Sequence, residues 1–131
     1  MGCLGALMTA ERYRGHIDGL VLLSPFAGRP GTTRRIAKAG GATRWQPPER
    51  RGPYDVELWR WLRDYDERSP EYPTIIMGYG LDEAGPDRHY EVLASLLPDA
   101  QVFTRAGPHD WETWTALWAE LLPTLARALE G

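Results

Sequence analysis

The spacing of hydrophobic and polar positions along this 131-residue chain changes several times, and each change marks an element. From Gly2 to Tyr13, Leu4, Leu7 and Met8 recur at helical spacing while Gly2, Gly5, Ala6 and Ala10 keep another face thin. That pattern predicts a helix able to approach a sheet closely. Within His16 to Phe26, the run Leu20-Val21-Leu22-Leu23 contains no polar residue, as in a strand covered on both faces. Asp55 to Arg68 predicts a second helix. It sets Val56, Leu58, Trp59, Trp61, Leu62 and Tyr65 against Arg60, Arg63, Asp64 and Glu67, and stops at Ser69-Pro70. Pro73 to Gly80 is a second buried strand, Arg88 to Leu97 a third helix and Gln101 to Thr104 a third strand. A last helix, Asp110 to Leu129, carries Trp111, Trp114, Trp118, Leu121, Leu125 and Leu129, with Asp110 a good N-cap type and Pro123 expected to bend it.

Strands alternating with helices predict an α/β fold with about three parallel strands and flanking helices. Residues 28–51 interrupt the alternation. Arg29, Arg34, Arg35, Lys38, Arg44, Arg50 and Arg51 stand there against the single acid Glu49, among glycines and prolines. The expectation is one domain, 1–131, with 28–70 as a basic, cap-like insertion over the surface. Such an insertion either attracts an anionic or polar ligand or is a solvated segment balancing an acidic body, and a charge cluster alone favours the second. The tryptophans of the second helix could line a pocket beneath it, although core packing is their commoner use.

Composition narrows the function. Hydrophobic residues make up 43% and charged residues 25%, the balance of a globular chain, and the net charge of −3 gives no general reason to expect nucleic acid. No apolar run approaches the roughly 20 residues of a membrane span, and no signal peptide is read at the N-terminus. The lone Cys3 forms no internal disulfide, which fits a cytoplasmic protein. No cofactor motif and no metal-ligand set is read, and no glycine-rich phosphate loop follows a strand, which weighs against a nucleotide-binding domain.

The chemistry gathers around Ala106-Gly107-Pro108-His109-Asp110-Trp111-Glu112-Thr113-Trp114, a strand-to-helix turn presenting His109. In an open parallel sheet, ligands collect at the carboxyl ends of the strands. Ser24, Asp82 and His109 are each expected just past such an end. Asp82 beside His109 would fix the imidazole tautomer and stabilise the imidazolium, as the second and third members of a hydrolase triad do. Glu83 and Asp87 compete with Asp82 for that role. A nucleophile is harder to find. Ser24 and Ser69 each precede a proline, Ser95 lies on the third helix, and Cys3 sits a turn into the first helix. None has a Gly-x-Ser-x-Gly setting.

Several stretches, taken in order, resemble the α/β-hydrolase superfamily and its esterase D-like branch. Met1-Gly2-Cys3-Leu4-Gly5-Ala6-Leu7 resembles the residues after the nucleophile in Gly-x-Ser-Met-Gly-Gly-x-Gly-Ala-Leu. Gly19 to Pro25 resembles the strand that follows, Gly80-Leu81-Asp82 the acid turn, and Gly107-Pro108-His109-Asp110-Trp111 with Trp114 the turn written Gly-Gly-His-x-Trp-x-x-Trp. Pro108 departs from its second glycine. The resemblance implies a partial α/β-hydrolase fold, the carboxyl-terminal part of a serine esterase whose serine falls one residue before Met1. It implies a small-molecule ester as substrate, His109 and Asp82 as catalytic residues, the backbone amide of Met1 as an oxyanion-hole donor and Trp111 as a substrate contact. The chain alone is then expected to be inactive. The alternative is a truncated, inactive relative serving as a binding or assembly module. On either reading the exposed edge of the Leu20–Leu23 strand is expected to favour self-association.

Overall fold

A computed structural model describes residues 2–83 and 90–130. Its elements are α1 (Gly2–Arg12), β1 (Gly19–Leu23), α2 (Pro30–Lys38), α3 (Tyr54–Leu62), β2 (Thr74–Gly80), α4 (Tyr90–Ala94), β3 (Val102–Arg105) and α5 (Trp111–Glu130). The three strands form one parallel sheet in the order β1-β2-β3, with Leu20 opposite Ile75 and Gly78 opposite Phe103. The α/β class and the parallel sheet thus agree with the sequence pattern.

Alternation along β2 divides the core. Ile75 and Met77 join Leu22 and the buried faces of α1, α3 and α4, whereas Ile76 lies outside that cluster, as do Leu117 and Leu121 of α5. α5 packs on β2 and β3. Gly78 lets it come close, since a Cβ there would lie 3.3 Å from the Leu117 side chain and 3.4 Å from that of Leu23. α5 continues through Pro123 to Glu130.

The basic segment departs from the expected surface excursion. Thr32, Thr33 and Ile36 recur at helical spacing, so α2 buries one side and leaves Arg35 and Lys38 exposed. Ile36, Ala42 and Trp45 enter the main core. The segment is tied down where Asp55, fully buried in the first turn of α3, accepts hydrogen bonds from the Arg29 backbone N–H (2.9 Å), Nε (2.9 Å) and Nη2 (2.8 Å). Burial alone would raise the Asp55 pKa, but the bonds from Arg29 outweigh it and bring the carboxyl down to about 2. The tryptophans of α3 are core residues. Trp59 donates its Nε1 hydrogen to the Ala27 carbonyl at 2.6 Å, and Trp61 stacks on Tyr72. α3 also ends earlier than its apolar pattern suggested, at Leu62, and Tyr65 leaves the helix to donate its hydroxyl hydrogen to the Pro73 carbonyl at 3.0 Å. Among the described residues no helix is long and apolar enough to cross a membrane.

Candidate functional site

β1, β2 and β3 run parallel, so their carboxyl ends form one rim, from which the chain continues as Ser24, Leu81-Asp82-Glu83 and Ala106 to Asp110. Two glycines let the second and third of these turns touch. A Cβ on Gly80 would collide with the Gly107 carbonyl, and one on Gly107, at φ 149°, would collide with Thr113. The turns are then stitched by Leu81 N–H to Arg105 O (2.8 Å), Asp82 N–H to Gly107 O (3.1 Å) and Gly107 N–H to Asp82 Oδ2 (2.7 Å). Asp110 caps α5 by accepting from Thr113 N–H at 2.9 Å.

The carboxylate against the histidine is that of Glu83. Its Oε1 lies 2.6 Å from His109 Nδ1 and accepts from the Tyr90 hydroxyl at 2.7 Å. Its Oε2 accepts from the Ser24 hydroxyl at 2.6 Å and from Gly80 N–H at 2.8 Å. The side chain is 2% exposed. Burial pushes the carboxyl up, but the bonds from Ser24, Tyr90, His109 and Gly80 together outweigh it and hold the pKa below the ordinary glutamate value. An ionised carboxylate only accepts, so the hydrogen between the two residues sits on Nδ1. In the neutral ring Nε2 then carries the lone pair, the form that a general base requires.

The structure turns Asp82, the acid expected from the sequence, toward the neighbouring turn. Its Oδ2 is bonded to Gly107 N–H, and it acts as a clasp between the two turns. Adjacent residues in a tight turn point in different directions, and the one aimed inward here is Glu83. Asp87, the other competitor, lies outside the described residues, as does Met1, named for its backbone amide. Trp111 is 78% exposed beside the site, its ring edge-to-face with that of Trp114, which in turn lies edge-to-face with His109 at 4.7 Å.

Ser24 and Trp114 join this group although neither was assigned a role in it from the sequence. Ser24 Oγ also accepts from Trp114 Nε1 at 2.9 Å. No family model, curated protein or solved structure matches this chain. The nucleophile candidates are placed as follows. Ser24 Oγ is engaged by the far oxygen of Glu83 and by Trp114 Nε1, Ser95 Oγ donates to the Val92 carbonyl, and Ser69 is half-buried in the loop before β2. Cys3 Sγ is 3.6 Å from the Leu23 carbonyl, and burial raises its pKa, which disfavours a thiolate. Among the described residues no group of three or more His, Cys, Asp or Glu is disposed to hold a metal ion. A cavity of about 560 Å³ beside α1 and α3 shares no residue with the Glu83–His109 group.

Proposed function

We propose that Glu83 and His109 are the acid and base of an acyl-hydrolase site acting on a small ester, with a serine outside this sequence as nucleophile. The observation that carries the reading is the 2.6 Å pairing of Glu83 Oε1 with His109 Nδ1 at the carboxyl rim of a parallel sheet. His109 Nε2 would take the serine proton as the hydroxyl attacks the ester carbonyl, then return it to the departing alcohol. Glu83 would hold the ring in the right tautomer and stabilise the imidazolium. On this reading the three strands belong to the carboxyl-terminal part of an α/β-hydrolase sheet, with Glu83 in the place that the resemblance gave to Asp82. The contact of Cys3 Sγ with the Leu23 carbonyl supports it further, because it sets the first turn of α1 beside the same rim, where the residues after a nucleophile belong.

The test is hydrolysis of 4-nitrophenyl acetate. The 131-residue chain should show no turnover above its His109→Ala variant. A longer chain from the same gene, with the in-frame residues preceding Met1, should turn the ester over and lose about 10³-fold or more in His109→Ala. A stop codon or no Gly-x-Ser upstream, or turnover indifferent to His109, overturns the proposal.

A specific observation also favours an assembly role. Among the described residues β1 pairs with β2 on one side only, and Leu20, Val21 and Leu23 are half-buried rather than covered. Sedimentation velocity should show concentration-dependent association of the 131-residue chain. A monomer throughout the micromolar range would refute that role.

A further inference from the structure

Ser24 is poorly placed to attack a substrate, but its surroundings fit another task. Its backbone sits at φ 49°, the left-handed region that serine seldom adopts, and strain of this kind persists where neighbours over-determine it. The Ser24 N–H donates to the Gly78 carbonyl at 2.8 Å, which continues the β1–β2 ladder by one bond and aims the side chain across the rim. Only 8% of the residue is exposed. The polarity of the hydroxyl is dictated from both sides: an ionised carboxylate can only accept and an indole N–H can only donate, so the hydrogen points to Glu83 Oε2 and a lone pair to Trp114 Nε1. Trp114 then meets the imidazole edge-to-face, with ring planes 81° apart. Ser24, Glu83, His109 and Trp114 close a ring of contacts, and the histidine is held within it from two directions.

We infer that Ser24 is a positioning residue for the acid–base pair. Its hydroxyl fixes the rotation of the Glu83 carboxylate so that Oε1 faces Nδ1, and through Trp114 it sets the plane of the imidazole. Gly80 N–H and the Tyr90 hydroxyl also hold the carboxylate, but Ser24 couples it to the ring packed on His109. The role rests on the acid–base reading proposed above, and the test separates the two.

The readout is the ring ¹⁵N shifts of His109 in the 131-residue chain at a pH where the ring is neutral, assigned by comparison with His109→Ala. The unaltered chain should populate the Nδ1–H tautomer almost alone. Ser24→Gly removes the hydroxyl and relieves the φ 49° backbone, so the fold should persist. Trp114→Phe keeps an aromatic ring and removes the N–H. Each should lower the ratio of Nδ1–H to Nε2–H by roughly tenfold, on the scale of one lost orienting hydrogen bond. A cooperative melt with an unchanged ratio in Ser24→Gly overturns the positioning role and leaves the pair intact. Should Ser24→Gly lose its cooperative melt, Trp114→Phe decides on the same readout. A predominantly Nε2–H ring in the unaltered chain overturns both the pairing and the role built on it.

Discussion

Replacing Glu83 by glutamine keeps the side-chain shape and removes its charge, and the surrounding donors set what that should cost. Among the described residues, the Ser24 and Tyr90 hydroxyls, Gly80 N–H and His109 Nδ1 converge on the carboxylate. An amide offers an acceptor on one side only. If its NH₂ takes the place of Oε2, the Ser24 hydroxyl can rotate to accept, but Gly80 N–H is left facing a donor. If it takes the place of Oε1, His109 must present a bare Nδ1 and change tautomer. An orphaned buried donor costs about 1–3 kcal/mol and bonds to a charged group are worth more than neutral ones, so Glu83→Gln should lose about 2–4 kcal/mol at pH 7. With a urea slope of about 2 kcal/mol/M, the midpoint should fall by about 1–2 M, followed by tryptophan fluorescence. The sign of the pH dependence follows from the direction of the shift. The folded carboxyl titrates below its unfolded value of 4.5. Its contribution is therefore complete above about pH 5 and fades as pH falls through 4.5 toward the folded pKa, so the gap between the two proteins should narrow on acidification. A loss under 0.5 kcal/mol at pH 7, or a gap of constant size from pH 7 to pH 4, would refute the reasoning (the threshold is roughly that of an ordinary surface change).

Asp55, brought from 3.8 to about 2 by Arg29, should contribute ~2 kcal/mol that is present above pH 4 and lost between about pH 4 and pH 2. Asp55→Asn should accordingly flatten the acid limb of a stability profile measured by urea titration. Gly80→Ala would drive a Cβ into the Gly107 carbonyl and should destabilise by about 1–3 kcal/mol. Because the same clash separates the acid and histidine turns, it should also disturb the His109 ring resonances. Leu117→Ala, in the fully buried seam between α5 and β2, should cost about 2–5 kcal/mol in denaturant unfolding, with the His109 tautomer unchanged.

Much of the fold is legible in the sequence because period is a backbone property. The Leu20–Leu23 run, the Thr74–Gly80 run and the tryptophan–leucine stripe of α5 each form the element their spacing implies, but burial follows the pattern closely only along β2. In β1 only Leu22 is buried, and α5 buries Thr113, Leu117 and Leu121 while Trp111, Trp118 and Leu129 stay exposed. The basic segment was harder to read. Seven cations obscure the Thr32-Thr33-Ile36 spacing of a short helix, and nothing local reveals that Asp55 neutralises Arg29 from 26 residues away. The site divides along the same line. His109 stands out through its turn, whereas which of Asp82 and Glu83 faces it depends on which neighbour the chain turns inward, and the contacts of Ser24, Tyr90 and Gly107 that hold the two side chains apart come from distant parts of the chain. The sequence did place Ser24 just past a strand end, but its partner Trp114 is 90 residues distant and no spacing rule connects them.

The most direct test of the assignment compares the two acids in a chain that includes the nucleophile. With 4-nitrophenyl acetate as substrate, Glu83→Ala should lower kcat by about 10³–10⁴-fold, the scale of removing the group that orients a triad histidine, while Asp82→Ala should stay within about tenfold of the unaltered enzyme. A larger loss for Asp82→Ala than for Glu83→Ala, or equal losses, would contradict the account.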